Sequence, residues 1–75
     1  MTEDPRFQAL AVAHEQLLTL LLRQIARNDV GVADGLAADL GDLAERARAG
    51  GDDEAMRRFV ELLEGYVLAL RAPDG

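Results

Sequence analysis

Apolar residues recur at helical spacing along almost the whole chain, and only two short breaks interrupt them. The breaks are Asn28-Asp29, a stop followed by a cap, and Gly50-Gly51, a helix-terminating pair. Between them the apolar positions follow the i, i+3, i+4, i+7 order of amphipathic helices, and no strand-type alternation occurs. This pattern predicts three helices, at about residues 5–28, 30–49 and 53–71.

Short connections make consecutive helices antiparallel neighbours, so the sequence predicts an all-α, up-down-up three-helix bundle. The alternative is a helical hairpin with a displaced first helix, closed only by pairing with a second copy. One domain is expected to span residues 1–75, with disordered ends at 1–3 and 72–75. Dimerisation is a way of completing either arrangement.

The first helix is the best defined of the three. Asp4 suits the cap position, Pro5 suits the first helical position, and no breaker follows before Asn28. A helical wheel places one group of residues on its apolar side. These residues are Phe7, Leu10, Ala11, His14, Leu17, Leu18, Leu21, Leu22 and Ile25.

The second helix is predicted to be weaker than its neighbours. Gly31, Gly35 and Gly41 each cost about 1 kcal/mol relative to Ala, so we expect its first turns to be irregular. Its apolar stripe is narrow and is predicted to consist of Leu36, Leu40, Leu43 and Ala47, flanked by Ala33, Ala37 and Ala44. The third helix carries a regular stripe from Met56 to Leu70.

The chain is short and has few means of reinforcing its fold. It has 75 residues and no cysteine, so disulfides and thiolate metal sites are excluded. A domain of this size buries only about 60% of the surface that its unfolded chain exposes. Its stability therefore requires good helix packing or a partner subunit.

The side-chain inventory disfavours several classes of function. With one His, no Cys and no Ser, the familiar nucleophile–base pairs cannot be assembled, and we expect no enzyme activity, metal site or cofactor. The net charge of −6 disfavours nucleic acids and anionic membranes as partners. The acidic start of the chain lacks the pattern of a secretory signal, so we expect a cytoplasmic location.

The role of His14 is left open by the pattern. It lies near the middle of the apolar side of the first helix, with Leu10, Ala11, Leu17 and Leu18 at i±3 and i±4. None of these residues can bind a metal, which excludes a helical two-ligand pair. Three roles stay open: a neutral imidazole buried in the core, an interface His whose protonation at about pH 6 tunes association, and a functional His. The buried imidazole is the expected role.

The segment around His14 resembles the H-box of dimerising histidine-kinase domains. In that family an acid follows the phosphorylated His, and a Thr or Asn stands one helical turn further on. Glu15 matches the acid, but Thr19 stands five residues after His14, which turns it off the required face. Leu20 replaces the usual proline. We therefore assign no H-box, and a phosphoacceptor role for His14 stays an alternative.

The apolar surface is larger than one copy of the chain needs. A surface helix of a bundle needs an apolar stripe only about 100° wide. In the first helix Val12 and Leu20 lie outside the main apolar side, and Leu68 lies opposite the core stripe of the third. This surplus predicts a homodimer formed mainly through the first helix, or a partner protein bound there. The predicted interface residues are Val12, His14, Leu17, Leu20, Leu21 and Leu68.

Two functions follow as hypotheses. The first is a small acidic helical protein with an interaction or structural role, which self-associates or binds a partner protein through the apolar face of its first helix. The alternative is a regulatory or signalling module in which His14 senses pH or accepts a phosphoryl group.

Overall fold

A computed structural model describes residues 5–51 and 53–74, which form three helices and their connections. The helices are α1 (Pro5–Asn28), α2 (Val30–Gly50) and α3 (Glu54–Arg71). No strand occurs in this part of the chain, and the all-α prediction is confirmed. The predicted Asp4 cap and the predicted disorder of residues 1–3 and Gly75 lie outside the described residues.

An aspartate cap begins each of the last two helices, which is why the connections are short. Asp29 separates α1 from α2, and its Oδ1 accepts a hydrogen bond from the Val32 backbone N–H at 3.1 Å. Asp53 Oδ1 accepts from the Met56 backbone N–H at 2.7 Å in the same way. These bonds satisfy N–H groups that the first turn of a helix leaves unpaired.

Two buried clusters define how the helices run. At one end of the molecule the end of α1, the start of α2 and the end of α3 meet. The buried residues there are Ala26, Ala33, Ala37 and Leu70. Further along α2 and α3 lies a second cluster, against which Leu18 of α1 packs. Its buried residues are Ala44, Val60, Leu63 and Tyr66. Successive helices therefore run in opposite directions, as in an up-down-up bundle.

The centre of the buried side of α2 consists of the alanines predicted to flank its stripe, while Leu36, Leu40 and Ala47 of the predicted stripe pack against the core at its edges and Leu43 does not. Ala33, Ala37 and Ala44 are buried, Leu36 and Leu40 are half-buried, and Leu43 is exposed. Small side chains let neighbouring helix backbones approach closely, as they do at helix contacts in membranes. The larger leucines then lie at the edges of the contact rather than at its centre.

The glycines of α2 do not interrupt it. The helix is continuous over Val30–Gly50, so the expected irregular start is not observed. Gly35 and Gly41 have no other atom within 4 Å of the place where a Cβ would lie, which shows that packing within the chain does not require a glycine at either position. The Asp29 cap and the buried alanines hold α2 in spite of the cost of its glycines.

The end of the chain folds back towards α1. Residues 72–74 follow α3 as a short turn. The Arg27 guanidinium donates from Nε to Asp74 Oδ1 at 3.1 Å and from a terminal nitrogen to the Pro73 carbonyl at 3.3 Å. The turn therefore lies beside the last turn of α1, at the end where the three helices meet.

The molecule is flatter and more extended than a compact chain of its length. It measures 43 × 30 × 17 Å, and its radius of gyration is 13.7 Å, against about 11 Å for a compact domain of this size. It exposes 5793 Å², about 1,300 Å² more than the roughly 4,500 Å² expected of a compact monomer of 8.1 kDa. Five of the nine buried hydrophobic residues in the described part are alanines, so the core is small.

None of the three described helices combines the length and the apolar content that crossing a membrane requires.

Candidate functional site

The N-terminal half of α1 is exposed throughout. Every residue from 5 to 17 is exposed, whereas Leu18, Leu22 and Ala26 in the following turns pack against α2 and α3. α1 has 24 residues and α3 has 18, a difference of about 9 Å in helix length. The core formed by the other two helices therefore covers only the second half of α1.

Five side chains on one side of α1 repeat at the heptad spacing of coiled coils. Gaps of three, four, three and four residues separate them, and all five are exposed. Phe7 is 72% exposed and Leu10 is 65% exposed. We call this set the α1 seam, and its members are Phe7, Leu10, His14, Leu17 and Leu21. Side chains at this spacing insert between those of a facing helix.

The positions beside the middle of the seam are also apolar. In heptad terms they are Ala11 and Leu18 on one edge and Ala13 and Leu20 on the other. Arg6 and Arg27 occupy flanking positions at the two ends of the seam. Glu15 is adjacent to His14 in sequence, but about 100° per residue turns it away from the seam. Between Phe7 and Leu21 the seam and its flanking positions therefore contain no carboxylate, although the chain carries a net charge of −6.

His14 is the central residue of the seam and is exposed. The prediction that its imidazole is buried in the core of the single chain is wrong, because α2 and α3 cover α1 only from about Leu18 onward. No hydrogen bond or ion pair joins the side chain of His14 to another residue in the described part of the chain. The imidazole is therefore free to contact a second molecule.

The six residues predicted at an interface are all exposed, but they do not lie on one surface. His14, Leu17 and Leu21 belong to the α1 seam, and Leu20 lies at its edge. Val12 is nine residues before Leu21, which at about 100° per residue places it on the opposite side of the helix. A single flat partner surface cannot contact both sides of α1.

Leu68, the sixth of these residues, lines an open groove between α2 and α3. The groove has a volume of about 510 Å³, and Ala38 and Gly41 form part of its wall. Arg48 and Glu64 form an ion pair across the two helices beside it. Leu68 therefore belongs to a different surface from the α1 seam.

Phe7 and Leu10 are the seam residues that the sequence reasoning assigned to the apolar core side rather than to an interface. The signal that could have found them is helix length. The predicted first helix is longer than the third, so a bundle of the three leaves part of the first uncovered. The exposed part was the half that carries Phe7 and Leu10.

Among the described residues, Glu15 links the exposed half of α1 electrostatically to the packed part of the molecule. Burial raises the pKa of the Tyr66 phenol, and the negative charge of Glu15 raises this pKa further. Glu15 also lines a shallow recess with Arg58, Glu61 and Leu62 of α3. Glu15 thus lies on a side of α1 that faces α3.

No group of three or more His, Cys, Asp or Glu side chains suited to holding a metal ion occurs among the residues that the structure describes. The α1 seam is an exposed apolar stripe with one titratable side chain, His14, at its centre.

Comparisons with protein-family models, with curated proteins and with solved structures found no match to this chain. What the protein does is therefore argued from its own residues.

Proposed function

We propose that this protein is a self-association module, in which the α1 helices of two copies pair along their seams. The observation that carries the proposal is the heptad spacing of five exposed residues from Phe7 to Leu21. A helix with this repeat packs best against another helix with the same repeat. α1 of a second copy meets that requirement.

The amount of exposed surface supports a second copy as the occupant. The surface beyond that of a compact monomer is about 1,300 Å², and a standard interface buries about 800 Å² on each partner. A two-fold arrangement buries the same seam on both copies, so one patch satisfies both chains. Pairing would also thicken a molecule that is only 17 Å deep in its thinnest direction.

The charge distribution supports the same occupant. Two chains that each carry −6 repel one another unless their contact surfaces are free of like charge. Between Phe7 and Leu21 the seam and its flanking positions contain no carboxylate. The seam is thus a side of α1 on which two copies meet without opposing acidic groups.

The test is the mass in solution of the full chain and of two matched variants. Leu17→Glu places a carboxylate in the seam, and Val12→Glu places the same charge on the opposite side of the same helix. Leu17 is 54% exposed and Val12 is 57% exposed, so neither change disturbs the core of the single chain. We expect both the unaltered chain and Val12→Glu to form dimers in sedimentation equilibrium. The dissociation constant of the Leu17→Glu dimer should be at least about tenfold higher than that of the unaltered chain.

Two results contradict the proposal. One is a chain that stays monomeric at millimolar concentration. The other is an equal loss of association in both variants, which would place the contact elsewhere or make it a general effect of charge. Retention of the dimer by Val12→Glu also tests the earlier prediction that Val12 belongs to the interface.

The phosphoacceptor role of His14 has one observation in its favour, because the side chain is exposed. The accompanying Thr19 does not support it. Its hydroxyl donates a hydrogen bond to the Glu15 carbonyl at 2.9 Å, within its own helix, and so does not point towards His14. Self-association therefore remains the function that we propose.

A further inference from the structure

We propose that protonation of His14 weakens the dimer, so that two copies stay paired in neutral solution and separate in mildly acidic solution. This inference rests on the proposed pairing of the α1 seams. It gives the interface a side chain whose charge changes with pH, a property that the apolar residues of the seam do not have.

The first step is the position of His14 in the seam. Two apolar seam residues precede it, Phe7 and Leu10, and two follow it, Leu17 and Leu21. In a parallel pair the two-fold axis runs along the seam, and in an antiparallel pair that matches the seams over their whole length it crosses them near their middle. If the helices are parallel, equivalent heptad positions face each other and the two imidazoles meet. If they are antiparallel, both imidazoles still lie close to the axis, in neighbouring layers.

The second step is the charge around the imidazole. Within α1 the residues one turn away are Leu10, Ala11, Leu17 and Leu18, none of which carries a charge. The neighbouring carboxylate of Glu15 lines the recess with Arg58 and Glu61 of α3, and α2 contributes no residue to that recess.

The partner copy would present the same seam, which carries no charged residue between Phe7 and Leu21. Because no carboxylate faces His14 from the seam of either copy, an imidazolium there would have no counter-charge.

The third step is the energetic consequence. A neutral imidazole can be covered by apolar side chains at modest cost, but a buried cation without a partner is strongly disfavoured. Two cations near one axis also repel each other. The dimer therefore favours the neutral form, and its stability is present at higher pH and lost as the pH falls. Histidine is the side chain that changes charge between about pH 8 and pH 5.

The size of the effect follows from proton linkage. Each dimer contains two His14 side chains, so dissociation takes up at most two protons. The dissociation constant can then rise by at most about 100-fold for each unit of pH. We expect a rise of at least about tenfold between pH 8 and pH 5.

The acidic residues provide a background effect of the opposite sign. The chain has 14 Asp and Glu residues, and their partial protonation at pH 5 lowers the repulsion between two negative copies. Without His14 the dimer should therefore be as strong at pH 5 as at pH 8, or stronger. A weakening in acid cannot come from net charge.

The experiment is sedimentation equilibrium of the full chain at pH 8 and pH 5, together with His14→Leu and His14→Gln. Far-ultraviolet circular dichroism of each sample shows that the helices stay folded. We expect the unaltered dimer to weaken at least about tenfold at pH 5 and the His14→Leu dimer to keep its strength. His14→Gln, which is polar but does not titrate, should give a weaker dimer whose strength does not fall at pH 5.

The outcomes separate this inference from the proposed function. A dimer of the unaltered chain that is equally strong at both pH values overturns the inference and leaves self-association intact. So does a His14→Leu dimer that weakens in acid as much as the unaltered one, because other groups then carry the response. A chain that is monomeric at both pH values overturns the proposed function and the inference with it.

Discussion

The two halves of α1 both carry an apolar side but differ in their surroundings. In the second half Leu18, Leu22 and Ala26 pack against α2 and α3. In the first half Phe7 and Leu10 are among the most exposed apolar residues of the described chain. One continuous helix therefore belongs to an internal core along one half and presents an uncovered apolar side along the other.

This difference teaches which part of α1 the single chain can stabilise. Short helices in water are only marginally stable by themselves, and most helical stability in proteins comes from packing of an apolar face. The packed half obtains that stability from α2 and α3. The exposed half obtains no such packing within the described chain, which is why we propose that a second copy supplies it.

The largest expected contrast comes from the same substitution made in the two regions. Leu63 is 5% exposed in the core of α3, and Leu63→Ala should lower the free energy of unfolding by about 2–5 kcal/mol. Leu10→Ala in the exposed half should change it by no more than about 0.5 kcal/mol when the chain is dilute enough to be monomeric. Urea unfolding at low protein concentration measures both. Equal losses would mean that Leu10 packs inside the single chain.

A smaller contrast comes from weakening the helix at two exposed positions. Ala38 of α2 and Ala13 of α1 are both exposed, and Ala→Gly costs about 1 kcal/mol in a helix interior. We expect Ala38→Gly to lower the free energy of global unfolding by about that amount. In Ala13→Gly at low protein concentration, the free energy of global unfolding should stay unchanged, while amide hydrogen exchange should become faster over residues 5–17 alone. A global loss in Ala13→Gly would show that the exposed half unfolds together with the core.

The helix ends were predictable from the sequence because their causes are local. Asp29 and Asp53 cap the helices that follow them, and each cap depends on a few consecutive residues. The core was predicted less well, since the centre of the α2 contact is set by how closely three helices approach. Ala37 rather than Leu43 faces the core for that reason.

The candidate site was predictable in part. Leu17 and Leu21 were identified because the apolar surplus of α1 is visible in its periodicity. The surroundings of His14 were not, because Leu18 and His14 lie on the same apolar side of the helix and differ only in how far α2 and α3 extend along it. How far α2 and α3 extend along α1 depends on how the three helices assemble, and the periodicity of a single helix does not show it.

A still smaller effect is expected at the surface of the packed region. Arg48 and Glu64 form an ion pair in which both side chains are about half exposed. Such pairs contribute between zero and about 1 kcal/mol, so Arg48→Gln should lower the free energy of unfolding by less than about 1 kcal/mol, and added salt should remove the difference. Arg46→Gln on the same helix is the matched control. A larger loss than this would mean that solvent screens the pair less than its exposure implies.

The smallest expected effect tests whether the two regions touch at all. Burial and then Glu15 raise the pKa of Tyr66, so the neutral phenol is the form favoured in the folded chain. The stability that this contributes is present below the ordinary tyrosine pKa of about 10 and is lost as the pH rises through the higher pKa of the folded state. Glu15→Gln should lower the pKa of Tyr66 only part of the way, because burial is the larger cause. The absorbance of the tyrosinate in an alkaline titration measures the change.

The control for that titration is Glu61→Gln, which removes another carboxylate from the recess that Glu15 lines. Glu61 is not a cause of the raised pKa of Tyr66, so Tyr66 in the Glu61→Gln variant should titrate as it does in the unaltered chain. If Glu15→Gln also leaves the titration of Tyr66 unchanged, α1 lies further from α3 at the level of Glu15. The part of α1 that α2 and α3 cover then begins nearer to Leu18. Such a result would lengthen the uncovered side of α1 and leave His14 further from any charge on α3.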